Sequence, residues 1–277
     1  MNNYGAKLPK TDLRDYKIKA DAVEVTSFIL GNLPKTKNQL TISSCTAHAA
    51  SSMLEWFYKR EIGEYRELST GFIYGMQGVL SNRLSKGMHL RDACKIAQKY
   101  GDCLFETMPY NIEMPECYER LKNILNDEVY KEAAISKIDS YAKCETNEAI
   151  KYAIIKYSPV LMSIRWYNKY ELGDDNVIHF DTTSGRGCHA IMVYGFNEKG
   201  WLCQNSWGKN WGNDGRFILP YEYGFIEAWS FVDAKNNDIY KPKQNKFLNV
   251  IYQIINCIIN SFSSIINLFK KKDEDVK

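Results

Sequence analysis

Histidine is scarce in this chain and strong net charge is absent. Only His48, His89, His179 and His189 occur in 277 residues, so chemistry that needs an imidazole has few candidates. The formal net charge is +3, which provides no basic field for nucleic acid. Even that excess is local: residues 234–277 hold eight lysines against four acidic residues, and the rest of the chain holds 28 basic against 29 acidic residues. None of the eight cysteines forms a Cys-x-x-Cys pair, which argues against a zinc ribbon or redox motif, and no metal or cofactor is implied. Residues 1–36 contain no basic-then-apolar secretory stretch. No repeat or low-complexity block precedes residue 233.

What is present is ordinary globular material, 45% hydrophobic and 25% charged, long enough for one large domain or two small ones. The chain is organised around Lys37–Ala50, where Gln39 precedes Cys45 by six residues. Ala47, Ala50, Met53, Leu54 and Phe57 then recur at helical spacing, which puts Cys45 in the first turn of a helix. A thiol there meets the positive end of the helix dipole and unpaired N–H groups, both of which favour thiolate, the nucleophilic form. A lone cysteine on a packed helix is more often a small buried residue, so partners decide the matter. Helices are also expected at 90–100, closed by Gly101, at 116–126, and after a Thr146 cap. Strands are expected at Val160–Trp166, His189–Phe196, Trp201–Ser206, Arg216–Leu219 and Ala228–Val232. Helices early and strands late describe an α+β chain in two lobes.

The partners lie far downstream. His189 opens an apolar strand 144 residues after Cys45, and Asn205 follows on a second strand, inside Asn205-Ser206-Trp207-Gly208-Lys209-Asn210-Trp211-Gly212. Adjacent strands can bring the two side chains together. His48 is three residues after Cys45 but points along the helix, and is read as a packing residue; His89 and His179 sit in loop-like settings.

On these residues the chain resembles the papain-like cysteine peptidases, and looks closest to a bacterial and viral branch with Cys-Thr-Ala at the nucleophile. The resemblance covers roughly residues 5–232, with Asn-Ser-Trp-Gly-x-x-Trp-Gly its most specific piece. It implies a helical lobe (about 25–130) carrying Cys45 and a barrel-like β lobe (about 131–232) carrying His189 and Asn205, with a cleft between. It implies an endopeptidase acting on peptide or protein substrates through a Cys45 thiolate, a His189 base and an acyl-enzyme. Asn205 would orient the imidazole, and the Gln39 amide and the Cys45 backbone N–H would receive the oxyanion. Gly87 and Met88 are the candidates for the loop that holds substrate extended, Met88 also lining the pocket for the side chain two before the cut, and Trp207 shields the His–Asn bond. Leu40 stands where the family has glycine, Thr46 follows the nucleophile, Arg216 replaces an aromatic, and Ile42 stands where secreted relatives have a bridging cysteine, which favours a reducing compartment.

Three rival readings belong to other classes: a catalytically inactive papain-like binding module, a Cys-His amidase of a different fold, and a membrane-associated scaffold. The retained catalytic set argues against the first and the Asn-Ser-Trp-Gly block against the second. The ends of the chain carry two further expectations. Residues 1–24 form a short arm that either covers the cleft or leaves it open once the chain folds; the open cleft is preferred. Residues 233–246 read as a linker, 247–269 as an appended hydrophobic helix that anchors the protein in a membrane in a single pass, and 270–277 as a charged tail. The catalytic domain would then face the cytosol; without the anchor the protein would be cytoplasmic.

Overall fold

The computed structural model describes residues 4–9, 12, 15–18, 20, 23–82, 84–110 and 114–232. The linker, hydrophobic run and charged tail expected beyond residue 232 lie outside the described residues. Among those described, no helix is long and apolar enough to cross a membrane.

Elements follow in the order β1 (Phe28–Ile29), α1 (Cys45–Ile62), α2 (Thr70–Ser81), α3 (Leu90–Lys99), α4 (Glu116–Ile124), α5 (Asp127–Ala133), β2 (Ser140–Lys143), α6 (Asn147–Lys156), β3 (Val160–Tyr167), β4 (Tyr170–Leu172), β5 (Ile178–Phe180), β6 (Arg186–Asn197), β7 (Gly200–Gln204), β8 (Arg216–Leu219) and β9 (Glu227–Val232). The helices expected after Cys45, Leu90, Glu116 and Thr146 are present, as are all five expected strands. The Thr146 hydroxyl accepts from Ala149 N, the side-chain cap that starts α6. Two elements lie in stretches that gave no periodic signal: α2, capped by Ser69 through Phe72 N, and the small β4–β5 pair, which places His179 on a strand rather than in a loop.

Helix α1 is buried from Cys45 to Phe57, not along one stripe, because helices and sheet enclose it together. It stops at Gly63, whose φ of 84° is left-handed and whose N–H returns to the Lys59 carbonyl. A buried ion pair fixes the segment leading into it. Lys37 Nζ lies 2.7 Å from Glu55 Oε1, and the same carboxylate oxygen accepts from Leu68 N at 2.8 Å. Gln39 is thereby held two residues from an anchored point.

The main sheet runs β2-β9-β3-β6-β7-β8, entirely antiparallel, with β1 added on β6. Residues 28–29 therefore join the sheet built by the later half of the chain. Strand β6 is the long central one: it pairs with β3 in the register Ile164↔His189 and with β7 in the register Met192↔Gln204. That second register sets Asn205, one residue past β7, within reach of His189. A bulge between Val193 and Gly195 lets β1 approach; a Cβ on Gly195 would meet the Phe28 carbonyl oxygen at 2.5 Å.

Candidate active site

Cys45 is the first residue of α1 and is fully buried. Its Sγ accepts from the Ala190 N–H at 3.4 Å, which puts the thiol against the start of β6 next to His189. The helix N-terminus supplies backbone donors at this end, because its first N–H groups have no partner one turn earlier.

The orientation of the histidine follows from the hydrogen-bond network. Asn205 Oδ1 accepts from the Ser206 N–H at 2.8 Å, so the atom there is an oxygen. The same oxygen lies 2.7 Å from His189 Nε2, so Nε2 must carry the proton. In the neutral ring Nδ1 is then the lone-pair nitrogen, and it has no partner among the described residues. Trp166 and Trp207 flank the imidazole, with ring centroids 5.1 and 5.0 Å away. Their bulk keeps water off the His–Asn bond, where a low local dielectric strengthens it.

Gln39 is fixed by the same logic. Its Oε1 accepts from Ser206 Oγ at 2.6 Å, and its Nε2 donates to the Ile42 carbonyl at 2.8 Å. The Gln39 N–H also reaches the Ser206 carbonyl at 2.8 Å. Ser206 therefore ties the amide at the nucleophile to the amide at the base. Leu40 takes φ 52°, the left-handed conformation that a glycine would adopt there. Thr46 Oγ1 donates to the Met88 carbonyl at 3.2 Å and joins α1 to the loop before α3.

That loop is occupied by the N-terminal arm. Met88 N donates to the Gly5 carbonyl at 2.7 Å, and Lys7 N donates to the Met88 carbonyl at 3.0 Å, a parallel bridge centred on Ala6. Ala6 N reaches the Cys188 carbonyl at 3.2 Å. Gly5 N points at Cys45 Sγ from 3.3 Å, and the Tyr4 ring stands edge-on to His189. The fit needs small residues. A Cβ on Gly5 would lie 2.1 Å from the Ser43 carbonyl oxygen, and one on Gly87, at φ +78°, would lie 2.6 Å from the Gly5 oxygen. The open cleft preferred from sequence is thus not found: the arm's backbone takes the hydrogen bonds of Met88 and Cys188. The thiol meets an N–H there, not a carbonyl carbon, so the arm presents nothing to attack.

Burial governs the charges in this covered state. It pushes the Cys45 thiol up, against the N–H groups of Ala190, Gly5, Thr46 and Ala6, which pull it down. It lowers the His189 imidazole to about 4, with the Asn205 bond opposing. The pair is therefore a neutral thiol beside a neutral imidazole. The thiolate expected from the helix N-terminus is outweighed by desolvation while the arm is in place.

The structure brings Gln39, Cys45, His189 and Asn205 into one site, with Trp207 on its wall and Gly87 and Met88 on its rim. His48 packs on the Tyr110 ring and bonds Ser44, the packing role expected of it. Sequence reasoning passed over Ser206 and Trp166, and weighed the arm over the cleft without singling out Tyr4–Lys7. Ser206 stood inside the most specific motif; Trp166 was read only as the end of a strand; the arm had no periodic pattern to mark it.

Comparison with known proteins agrees with this geometry. The sequence profile of the papain family cysteine proteases matches residues 23–224. An uncharacterized peptidase C1-like protein of Acanthamoeba polyphaga mimivirus is 24% identical over 80% of this chain and 82% of its own length. Mouse cathepsin K is 25% identical over 68% of this chain, and the match spans 56% of cathepsin K. Among solved structures, xylellain, a cysteine protease from Xylella fastidiosa, superposes with a TM-score of 0.71 at 23% identity, covering 84% of this chain and 96% of that one. A Carica candamarcensis cysteine protease in complex with E-64 gives 0.55 at 18% identity, covering 76% and 99%. With a family profile over most of its length, the same fold and a cysteine, histidine and asparagine assembled in one cleft, this chain belongs to the papain family and is a papain-like cysteine endopeptidase.

Proposed function

We propose that the protein cleaves peptide bonds by attack of Cys45 Sγ on the scissile carbonyl, with His189 as its base. Sγ loses its proton to Nδ1 and forms the C–S bond. The carbonyl oxygen, now an anion, takes hydrogen bonds from the Gln39 amide and the Cys45 backbone N–H. The C–N bond breaks as Nδ1 returns the proton to the leaving amine, which leaves an acyl-enzyme. Water deprotonated by Nδ1 then adds to the thioester carbonyl and releases the acid and the thiol. Asn205 holds Nε2–H throughout and keeps Nδ1 aimed. The observation that carries this reading is the chain from Ser206 N–H to Asn205 Oδ1 to His189 Nε2, because it leaves Nδ1 as the basic nitrogen.

The test is hydrolysis of a fluorogenic dipeptide with and without a thiol-trapping epoxide. Cys45→Ala is expected to remove turnover and epoxide labelling together. Undiminished hydrolysis in that variant sinks the assignment. A chain that binds peptides but never turns them over would instead be a binding module.

A further inference from the structure

One buried histidine close to the nucleophile has no task in the reaction. His48 lies one turn along α1 from Ser44, is 2% exposed, and meets the Tyr110 ring edge-on at 5.1 Å. Its Nδ1 is 3.1 Å from the Ser44 carbonyl oxygen and 3.2 Å from Ser44 Oγ. Burial lowers the imidazole to about 3, so the ring is neutral near pH 7 and has one N–H. A carbonyl only accepts, so the Ser44 contact puts that proton on Nδ1. The Asn38 carbonyl is a weaker acceptor near the same ring; with the proton on Nδ1 the stronger contact is the one satisfied.

The Ser44 oxygen already accepts the helical bond from His48 N at 3.0 Å. Nδ1–H adds a second bond to it from the same residue. The Ser44 carbonyl and the Cys45 N–H are opposite ends of one planar peptide unit. Holding the oxygen therefore sets the direction of the N–H, which is one of the two oxyanion donors. The other donor is tied to the same residue. Ser44 N–H reaches the Ile42 carbonyl at 2.9 Å, and that oxygen also receives the Gln39 amide at 2.8 Å.

The start of α1 lacks its usual support. Ser44 holds the N-cap position with ψ 18°, and its hydroxyl accepts from no N–H of the first turn. A serine there ordinarily caps its own helix. Here the hydroxyl lies at His48 instead, and the Thr46 N–H is directed to the Cys45 thiol.

We propose that His48 is a positioning residue for the oxyanion site, its Nδ1–H aiming the Cys45 N–H through the Ser44 peptide and steadying the Gln39 amide through Ile42. This rests on the peptidase reading of the site. His48 itself touches no reacting atom.

The experiment compares three substitutions. His48→Phe keeps a ring against Tyr110 and loses the bond. His48→Asn sets an amide N–H near the place of Nδ1, from which it reaches a carbonyl one turn back. His48→Gln carries its amide one carbon further, toward a cavity of about 320 Å³ shared with Lys37, Tyr65 and Tyr110, and misses Ser44. All are made in the full chain, with and without Gly5→Val, which displaces the arm because its first side-chain carbon collides with the Ser43 carbonyl. Turnover of a fluorogenic dipeptide is expressed per active site, counted with the thiol-trapping epoxide, so unfolded chains do not enter. The expected kcat of His48→Phe and His48→Gln is lower by about tenfold at nearly constant KM, and His48→Asn recovers most of it. Alkylation of Cys45 by iodoacetamide builds no oxyanion, so its rate in the Gly5→Val background should be the same in all three. Parental kcat in His48→Phe, alkylation slowed by the same factor as kcat, or a His48→Gln as active as His48→Asn overturns the inference and leaves the peptidase reading standing. Failure of the parent to cleave with or without Gly5→Val defeats both.

Discussion

Ser206 shows how one residue coordinates two catalytic groups without touching the reacting atoms. Its N–H fixes the Asn205 amide, its hydroxyl fixes the Gln39 amide, and its carbonyl holds the Gln39 backbone. Ser206→Ala removes only the hydroxyl, so the Gln39 Oε1 loses its donor and the amide its aim at the oxyanion. The expected result is a fall in kcat of about tenfold, less than the 10²–10³ of a lost oxyanion donor, with KM nearly constant. A rise in KM alone would mean that the hydroxyl serves binding. Asn205→Ala should cost more, because the tautomer is no longer set, while leaving residual turnover from the intact nucleophile. His48 carries a different expectation. It is fully buried and its imidazole is lowered to about 3, mainly by burial. In the unfolded chain it titrates near pH 6.5, so between about pH 6.5 and 3 the unfolded state binds more protons than the native one. Stability therefore falls as pH drops through that window, by up to about 1.4 kcal/mol per pH unit for such a group. Thermal melts from pH 7 to 4 should show the decline, and His48→Asn should lessen it, with buried His189 keeping a slope of the same sign; an equal slope in both proteins would place the acid sensitivity elsewhere.

At the scale of elements, the covered cleft is the main departure from what the sequence suggested. Legibility followed periodicity. α1, α3, α6 and the β3, β6 and β7 strands announce themselves by spacing and caps, and with them Cys45, His189 and Asn205. The Tyr4–Lys7 segment forms no element of its own; its structure comes from the hydrogen-bonding edges of Met88 and Cys188, far away in sequence. Gly5 is the point at which the arm can be tested. In the native chain iodoacetamide should alkylate Cys45 slowly at pH 6, because burial keeps the thiol protonated. Gly5→Val should lift that desolvation, lower the thiol pKa, raise the His189 pKa, and increase the alkylation rate by up to about tenfold for each unit of thiol shift. Peptidase activity should rise in parallel. Unchanged alkylation and activity would mean that the arm exchanges freely and imposes no latency.

At the scale of the whole molecule, the sequence beyond the described fold bears on where the protein resides. The fold described here ends with β9 at Val232, and the sequence beyond it changes character. Phe247–Phe269 is a run of 23 residues without charge, 15 of them apolar, bounded by Lys246 and by Lys270-Lys271-Lys272. As a helix at 1.5 Å per residue it would span roughly 34 Å, against about 30 Å of bilayer hydrocarbon. Asn249, Gln253, Asn256, Asn260, Ser264 and Asn267 recur every three or four residues, so these six would fall on one narrow stripe. We propose that this run is a single membrane anchor whose Asn stripe faces another helix, where interhelical hydrogen bonds satisfy it. A flat amphipathic helix on the membrane surface would want charge on its polar face, and this face has none. Full-length protein should therefore stay with membranes through alkaline carbonate extraction. A chain stopped at Ala234 should be released and retain the activity of the full chain, because every group named in the reaction lies before Val232. Release of the full-length chain by carbonate would favour a surface-bound helix. A full-length chain soluble without detergent would instead assign the run to packing on protein, with the Asn stripe at near-heptad spacing setting register in a helix pair.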